Sequence, residues 1–240
     1  MAREPFSTTL TEIQELSPTV RHFRFTLDSG GPFVFKAGQF VMLHAPIDPE
    51  KPIRRPYSIA SPPTETSNVD LMVKLVDGGP VTNWMWELKE QDKANLDGPY
   101  GAFVLPKELP RELILISTGT GLAPFRSMTL MLLEQKADVK ITMLFGVRYE
   151  DEIPYSEEFD ALAKQHPNFQ FIPTISRPRN QPKPWTGEVG YVQTKLEQYA
   201  PAKPDKLIYI CGLSPMIKAV EETALKLGFD KKQIHYEKYD

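Results

Sequence analysis

Cysteine is nearly missing: Cys211 is the single thiol in 240 residues. One cysteine excludes an intramolecular disulfide and any iron–sulfur cluster ligated by this chain alone. Long apolar runs are missing too. No stretch approaches the ~20 consecutive apolar residues that a membrane-crossing helix needs, so membrane insertion is not expected. Histidine is scarce, and His22, His44, His166 and His235 show neither an i,i+4 pair nor a spacing to cysteine that suits zinc, so no metal site is expected. Neither sign of charge dominates: 28 Lys and Arg stand against 31 Asp and Glu, a net charge of −3. The basic residues form no dense block, which argues against nucleic acid as a partner. The segment Met1-Ala2-Arg3-Glu4-Pro5-Phe6 leads into polar sequence with no apolar h-region, so no secretion signal is read and the cytoplasm is the expected location.

What is present suits two ordinary domains, each able to bury its own core: 41% of residues are hydrophobic and 25% charged. Up to about residue 105 the chain reads as short strands between turn residues. Val69, Leu71, Val73 and Leu75 alternate on one face; Phe23, Phe25 and Leu27 alternate with Arg24 and Thr26. With Ser7 to Leu16, Phe40 to Ala45, Tyr57 to Ala60 and Lys93 to Asp97, this predicts an antiparallel six-stranded β-barrel over residues 1–105, closed because closure removes exposed edges. After Pro106 apolar strands alternate with helices, the rhythm of a parallel sheet covered on both faces. Strands are read at Leu113 to Ser117, Val139 to Gly146, Phe169 to Ile175, Leu207 to Cys211 and Ile234 to Lys238. Helices are read at Pro124 to Gln135, Ser156 to Gln165, Gly190 to Tyr199 and Pro215 to Leu227. Residues 106–240 are therefore expected to form an α/β doubly wound domain with a five-stranded parallel sheet, and Pro178 to Pro184 an irregular loop.

Three segments carry chemistry. Ser117-Thr118-Gly119-Thr120-Gly121-Leu122-Ala123-Pro124 follows an apolar strand and opens a helix, where glycines let the backbone approach phosphates and free N–H groups point at them. A plain tight turn explains these residues equally well. Arg55-Pro56-Tyr57-Ser58 puts an arginine and an aromatic on one face of a strand: a fork for a diphosphate, a ring for a flat ring system, and a neighbouring hydroxyl for a ring nitrogen. A surface arginine beside a core tyrosine is the competing reading. Gly78-Gly79-Pro80-Val81-Thr82 ends a strand and leads into a short helix read at Thr82 to Leu88, where successive N–H groups would form a second anion cradle; a hairpin turn is the competing reading, which the helix in place of a returning strand weakens.

With these segments in order, the sequence resembles the ferredoxin–NADP(+) reductase superfamily over nearly its whole length. The resemblance rests on Arg-x-Tyr-Ser at Arg55 to Ser58, Gly-Gly-x-x-Thr at Gly78 to Thr82, Gly-Pro-Tyr-Gly at Gly98 to Gly101, Gly-Thr-Gly-Leu-Ala-Pro at Gly119 to Pro124, Cys-Gly-x-x-Pro-Met at Cys211 to Met216, and an acidic-aromatic end at Glu237 to Tyr239. It implies an amino-terminal FAD-binding barrel and a carboxy-terminal NAD(P)-binding domain. Arg55, Pro56, Tyr57 and Ser58 would contact the flavin, Val73 and Lys74 would line it, and Gly79, Val81 and Thr82 would hold its pyrophosphate. Thr118, Gly119, Thr120 and Gly121 would take the dinucleotide's pyrophosphate, while Cys211, Gly212, Met216 and Glu237 would flank the nicotinamide. Tyr239 matches the aromatic that covers the flavin in plant-type members, with Asp240 as one residue more than their pattern.

The implied activity is transfer of electrons between NAD(P)H and a separate one-electron carrier, ferredoxin or flavodoxin, by hydride transfer to or from FAD near Ser58. Catalytic roles fall to Ser58, Cys211, Glu237 and Tyr239. Arg148, Ser176 and Arg177 lie where a 2′-phosphate would be met, which favours NADP over NAD. The rival readings are the reductase component of an oxygenase, a free-flavin or ferric reductase, and a redox-inactive dinucleotide-binding subunit. Oligomeric state is not legible.

Overall fold

The computed structural model describes residues 4–48, 50–179, 183–201 and 205–239. The chain divides into two compact units: the sequence up to Leu105 joined by Ala123–Glu134, and Pro106–Leu122 joined by the sequence from Gln135 onward.

The first unit holds β1 (Phe6–Ser17), β2 (Val20–Leu27), β3 (Phe40–Ala45), β4 (Ile53–Ser58), β5 (Asn68–Lys74), the helix α1 (Pro80–Glu87) and β6 (Lys93–Tyr100). The six strands form one antiparallel sheet in the order β4-β3-β6-β1-β2-β5. An antiparallel bridge between Ile59 and Leu71 joins the two edge strands, so the sheet closes into the expected barrel. Alternation explains the filling: Phe23 and Phe25 of β2, Val41 and Leu43 of β3, and Val69, Leu71 and Val73 of β5 meet in one core. Truncating a fully buried ring such as Phe23 would cost about 3–5 kcal/mol. The alternation places Asp70 and Met72 of β5 on the opposite face, yet both are buried. Asp70 is met there by Arg24 and His22 of β2 and by Arg126 of α2 (Ala123–Glu134), which donates to it.

The second unit contains β7 (Glu112–Thr118), a 3-10 turn (Gly119–Leu122), β8 (Lys140–Val147), α3 (Ser156–Gln165), β9 (Phe169–Ile175), β10 (Glu188–Val189), α4 (Leu196–Tyr199), β11 (Lys206–Gly212), α5 (Ser214–Lys226) and β12 (Ile234–Lys238). Its sheet is wholly parallel, in the order β10-β9-β8-β7-β11-β12. The five expected strands are all present. The sixth, β10, has only two residues beside Thr174 and Ile175, too short to leave a periodic signature. Both faces are covered. On one, Phe159 of α3 meets Phe169 and Phe171; on the other, Ile217, Val220 and Ala224 of α5 pack with Ile114, Ile116, Ile208 and Ile210. The helix expected over Gly190 to Tyr199 is a 3-10 turn at Val192–Lys195 followed by the single turn of α4. Of the proline-rich loop, residues 180–182 lie outside the described residues, as does Asp240.

Candidate functional site

In the first unit, β4 pairs with β3 so that Ser58 faces Phe40 and Tyr57 faces Val41. Tyr57 is half-buried and packs against the barrel core. Burial pushes its hydroxyl up to about 12, so it stays a neutral phenol at physiological pH. Arg55 is exposed, with one N–H donating to the Arg54 carbonyl at 2.9 Å. Ser58 is buried. Immediately after it the chain is stitched down: the Ile59 N–H donates to the Gln39 carbonyl at 3.0 Å and the Ala60 N–H to the Asp70 carbonyl at 2.8 Å. Val73 is buried at the end of β5 and Lys74 beside it is exposed.

The segment expected to form a second anion cradle lies where β5 gives way to α1. Gly78 has φ +67°, and the Gly79 N–H donates to the Val76 carbonyl at 2.9 Å. The first i→i−4 bond of α1 runs from the Asn83 N–H to the Gly79 carbonyl, 2.9 Å. Among the described residues the N–H groups of Val81 and Thr82 take no backbone acceptor, as expected of a helix start. The Thr82 hydroxyl serves the loop itself, accepting from the Val76 N–H at 3.2 Å and lying 3.1 Å from the Gly79 carbonyl. Backbone amides, with Thr82 holding the loop, are what this cradle can offer an anion.

In the second unit the strand order reverses between β7 and β11, which makes the carboxyl ends of these strands the topological switch point. Two expected segments meet there, Thr118 to Gly121 and Cys211 to Met216. A Cβ on Gly121 would stand 2.3 Å from the Cys211 carbonyl oxygen and 2.7 Å from its carbon; one on Gly212 would stand 2.8 Å from Thr118 Oγ1 and 2.6 Å from Met216 Cε. Only glycine allows the two loops to touch.

Cys211 is fully buried and lies opposite Glu237 in the β11–β12 register. Burial drives its thiol well above the ordinary range, the Glu237 carboxylate adds to this, and a hydrogen bond from the Tyr239 side chain works the other way. The Tyr239 N–H donates to the Gly212 carbonyl at 3.0 Å. Cys211, Glu237 and Tyr239 are thus brought together, with the cysteine as a protonated thiol and not a nucleophile.

At the ends of β8 and β9, the Arg177 N–H donates to the Arg148 carbonyl at 2.9 Å, and the Ser176 hydroxyl to the Val147 carbonyl at 3.3 Å. Both arginine side chains are exposed, and neither has an ion-pair partner among the described residues. Arg179 differs: it pairs with Asp151 at 3.2 Å and lies over the Tyr149 ring.

Two charged clusters escaped sequence reasoning. Asp97 of β6 is buried and receives hydrogen bonds from Arg54 (2.7 Å), His44 and Tyr100. Burial would raise its carboxyl, but these donors more than reverse that and hold it below the ordinary range. Asp70 of β5 is fully buried and receives Arg24 through two N–H groups, at 2.7 and 2.8 Å. Apart from Tyr100, three residues after Asp97, the partners lie more than forty residues away in sequence, so no local spacing could have signalled them.

Models of known families match both halves of the chain. An oxidoreductase FAD-binding domain matches residues 7–105 and an oxidoreductase NAD-binding domain residues 115–222. The chain is 36% identical to ferredoxin–NADP reductase B of Sorangium cellulosum, over 99% of this chain and 98% of that protein. It is 34% identical to the phenol 2-monooxygenase reductase component DmpP of a Pseudomonas species, over 98% of this chain and 66% of that protein. Among solved structures, the Amycolatopsis cytochrome P450 reductase GcoB matches with a TM-score of 0.87 at 26% identity, over 98% of this chain and 69% of that one.

Proposed function

The chain belongs to the ferredoxin–NADP(+) reductase superfamily, and from that premise we propose how its residues serve a flavin-dependent oxidoreductase that takes electrons from NAD(P)H and passes them to an electron-carrying partner. The cofactors are FAD and NAD(P). Bound beside Ser58, FAD would supply the chemistry that links two-electron hydride transfer with the nicotinamide to one-electron transfer with the carrier.

The carrier is a ferredoxin or flavodoxin. The observation that carries this reading is the match to ferredoxin–NADP reductase B, which runs through 98% of that protein. A second reading, service to an oxygenase, is favoured by the 34% identity to DmpP.

The residues of the first unit suit a dinucleotide flavin: an exposed arginine, a neutral half-buried phenol ring and a glycine-cornered helix start with N–H groups to spare. Arg55, with Pro56 fixing the strand beside it, meets the diphosphate. Tyr57 lies against the ring system and Ser58 donates to the ring nitrogen that takes the hydride. Val73 and Lys74 line the ring. Gly79, Val81 and Thr82 hold the flavin pyrophosphate. In the second unit Thr118, Gly119, Thr120 and Gly121 receive the dinucleotide pyrophosphate. Cys211, Gly212, Met216, Glu237 and Tyr239 flank the nicotinamide, where the buried thiol supplies shape and a weak dipole.

NADPH is the preferred dinucleotide, because Arg148 and Arg177 present two guanidinium groups without ion-pair partners among the described residues beside the Ser176 hydroxyl. Anaerobic titration tests this set of roles. The wild-type protein is expected to be yellow, to bleach with a lower KM for NADPH than for NADH, and to recolour on adding oxidised ferredoxin. Arg177→Ala with Arg148→Ala should raise KM for NADPH about tenfold or more and leave KM for NADH within about twofold. Preference for NADH in the wild type would overturn the phosphate assignment. Failure of both ferredoxin and flavodoxin to recolour the protein would overturn the carrier.

A further inference from the structure

The hydroxyl assigned above to hydride transfer sits on the last residue of β4, at the edge of a short segment, Ile59-Ala60-Ser61, that turns the chain toward β5. That segment has unusually complete support within the first unit. Ile59 bridges to Leu71, the Ala60 N–H donates to the Asp70 carbonyl at 2.8 Å, and the Asp70 N–H donates to the Ser61 Oγ at 3.1 Å. One backbone carbonyl in it, that of Ala60, is held by a side chain from elsewhere: Arg126 of α2, whose Nη1 stands 2.9 Å away.

The same Nη1 also lies 3.4 Å from the Asp70 carboxylate, which Arg24 engages through two further N–H groups and which His22 approaches to 3.7 Å. Asp70 is fully buried and only about a tenth of the Arg126 side chain is exposed. A buried pair of this kind is weak evidence for stability, since its desolvation offsets most of the attraction, and its best-attested use is to fix one geometry. Here the geometry fixed is local. Arg126 spans the carboxylate of Asp70 and the carbonyl two residues beyond Ser58, and Arg24 holds that carboxylate in the orientation that Arg126 needs.

We propose that Arg126 is a positioning residue for the flavin site: by clamping the Ala60 carbonyl to the Asp70 carboxylate, it sets the direction in which Ser58 presents its hydroxyl. The inference rests on the assignment of Ser58 made above. Arg126 touches neither flavin nor dinucleotide in this account and acts through the backbone of residues 58–61.

Lysine is the informative substitution. It keeps the positive charge beside Asp70 but lacks the planar fork that lets one group serve two acceptors at fixed angles. Arg126→Lys should therefore fold and melt close to wild type, and Arg126→Ala is the harsher companion. Hydrogen–deuterium exchange of the apoprotein, read on the peptide spanning residues 58–61, needs no flavin. Both variants should exchange there at least fivefold faster than wild type, with the β1–β2 peptides unchanged. With FAD bound, flavin reduction at saturating NADPH should fall about tenfold in Arg126→Ala and less in Arg126→Lys, KM for NADPH should stay within twofold, and free guanidinium should restore part of the Arg126→Ala rate. Wild-type exchange at residues 58–61 in both variants, or wild-type reduction rates with faster exchange, would overturn the proposal while leaving the function of the site standing. A wild-type chain that takes up no FAD would overturn both.

Discussion

Replacing Gly121 by alanine should separate two explanations of the Gly119–Leu122 turn. If glycine is there only to free the backbone for phosphate, the left-handed position is the sensitive one. That is Gly119, at φ +55°, around which an added Cβ meets nothing within 4 Å. Alanine there should cost about 1–2 kcal/mol, the ordinary penalty of a left-handed L-residue. Gly121 has no positive φ, yet its Cβ would come within 2.3, 2.7 and 3.1 Å of Cys211 O, Cys211 C and Gly212 N. All three are backbone atoms at the end of a central strand, which cannot swing aside as a side chain would. The expected cost therefore lies at or above the top of the usual overpacking range, about 3 kcal/mol. At roughly 2–4 °C per kcal/mol for a protein of this size, Gly121→Ala should lower Tm by about 6–12 °C and Gly119→Ala by about 2–8 °C. Thermal unfolding of both variants, followed by circular dichroism, checks the order. A Gly121→Ala protein as stable as Gly119→Ala, or more so, would refute the idea that this glycine exists for the contact between the two loops.

Other consequences are as direct. Ser58→Val should slow flavin reduction about a hundredfold while flavin affinity changes far less, checked by stopped-flow absorbance against fluorescence titration. Glu112 and Lys206 form a buried pair at 2.7 Å, with Thr142 donating to the same carboxylate; Lys206→Met should cost about 3–5 kcal/mol by chemical denaturation. Burial alone would raise Glu112, but Lys206, Thr142 and Lys140 outweigh it and lower the carboxyl from 4.5. Its contribution is therefore complete above that value and is lost as pH falls through the lowered one, so Glu112→Gln should flatten the acid limb of the stability curve. Fully buried and held as a thiol, Cys211 should resist iodoacetamide at pH 8 in the folded protein and react completely in guanidinium chloride, read by mass spectrometry.

How far residues alone carry depends on the range of the interaction. The antiparallel strands were legible because alternation is a period of two read within seven residues: Val69, Leu71 and Val73 do share the barrel core, while Leu75 lies past the end of β5 and the strand read at Tyr57 to Ala60 is Ile53–Ser58. Parallel strands were legible as continuous apolar blocks such as Leu113 to Ser117, and the helices after them as amphipathic runs, except over Gly190 to Tyr199, where the chain makes a 3-10 turn and the single turn of α4. Lost were features too short or too long. The two residues of β10 have no period, and the contact of Asp70 with Arg126 joins residues more than fifty positions apart in the chain.

The sequence by itself determined the class: two periodicities call for an antiparallel barrel followed by a parallel α/β sheet, because strand and helix rhythm are local properties, and six motifs in order carry the resemblance that makes these a flavin and a dinucleotide domain. Only the tertiary structure decided why particular residues occupy those motifs. Gly121 lies against the Cys211 carbonyl, Cys211 is a buried thiol beside Glu237 and Tyr239, and Arg126 reaches back to the Ala60 carbonyl. Each of these is set by where two distant stretches of chain are packed together, and pairwise distance in space leaves no trace in spacing along the sequence.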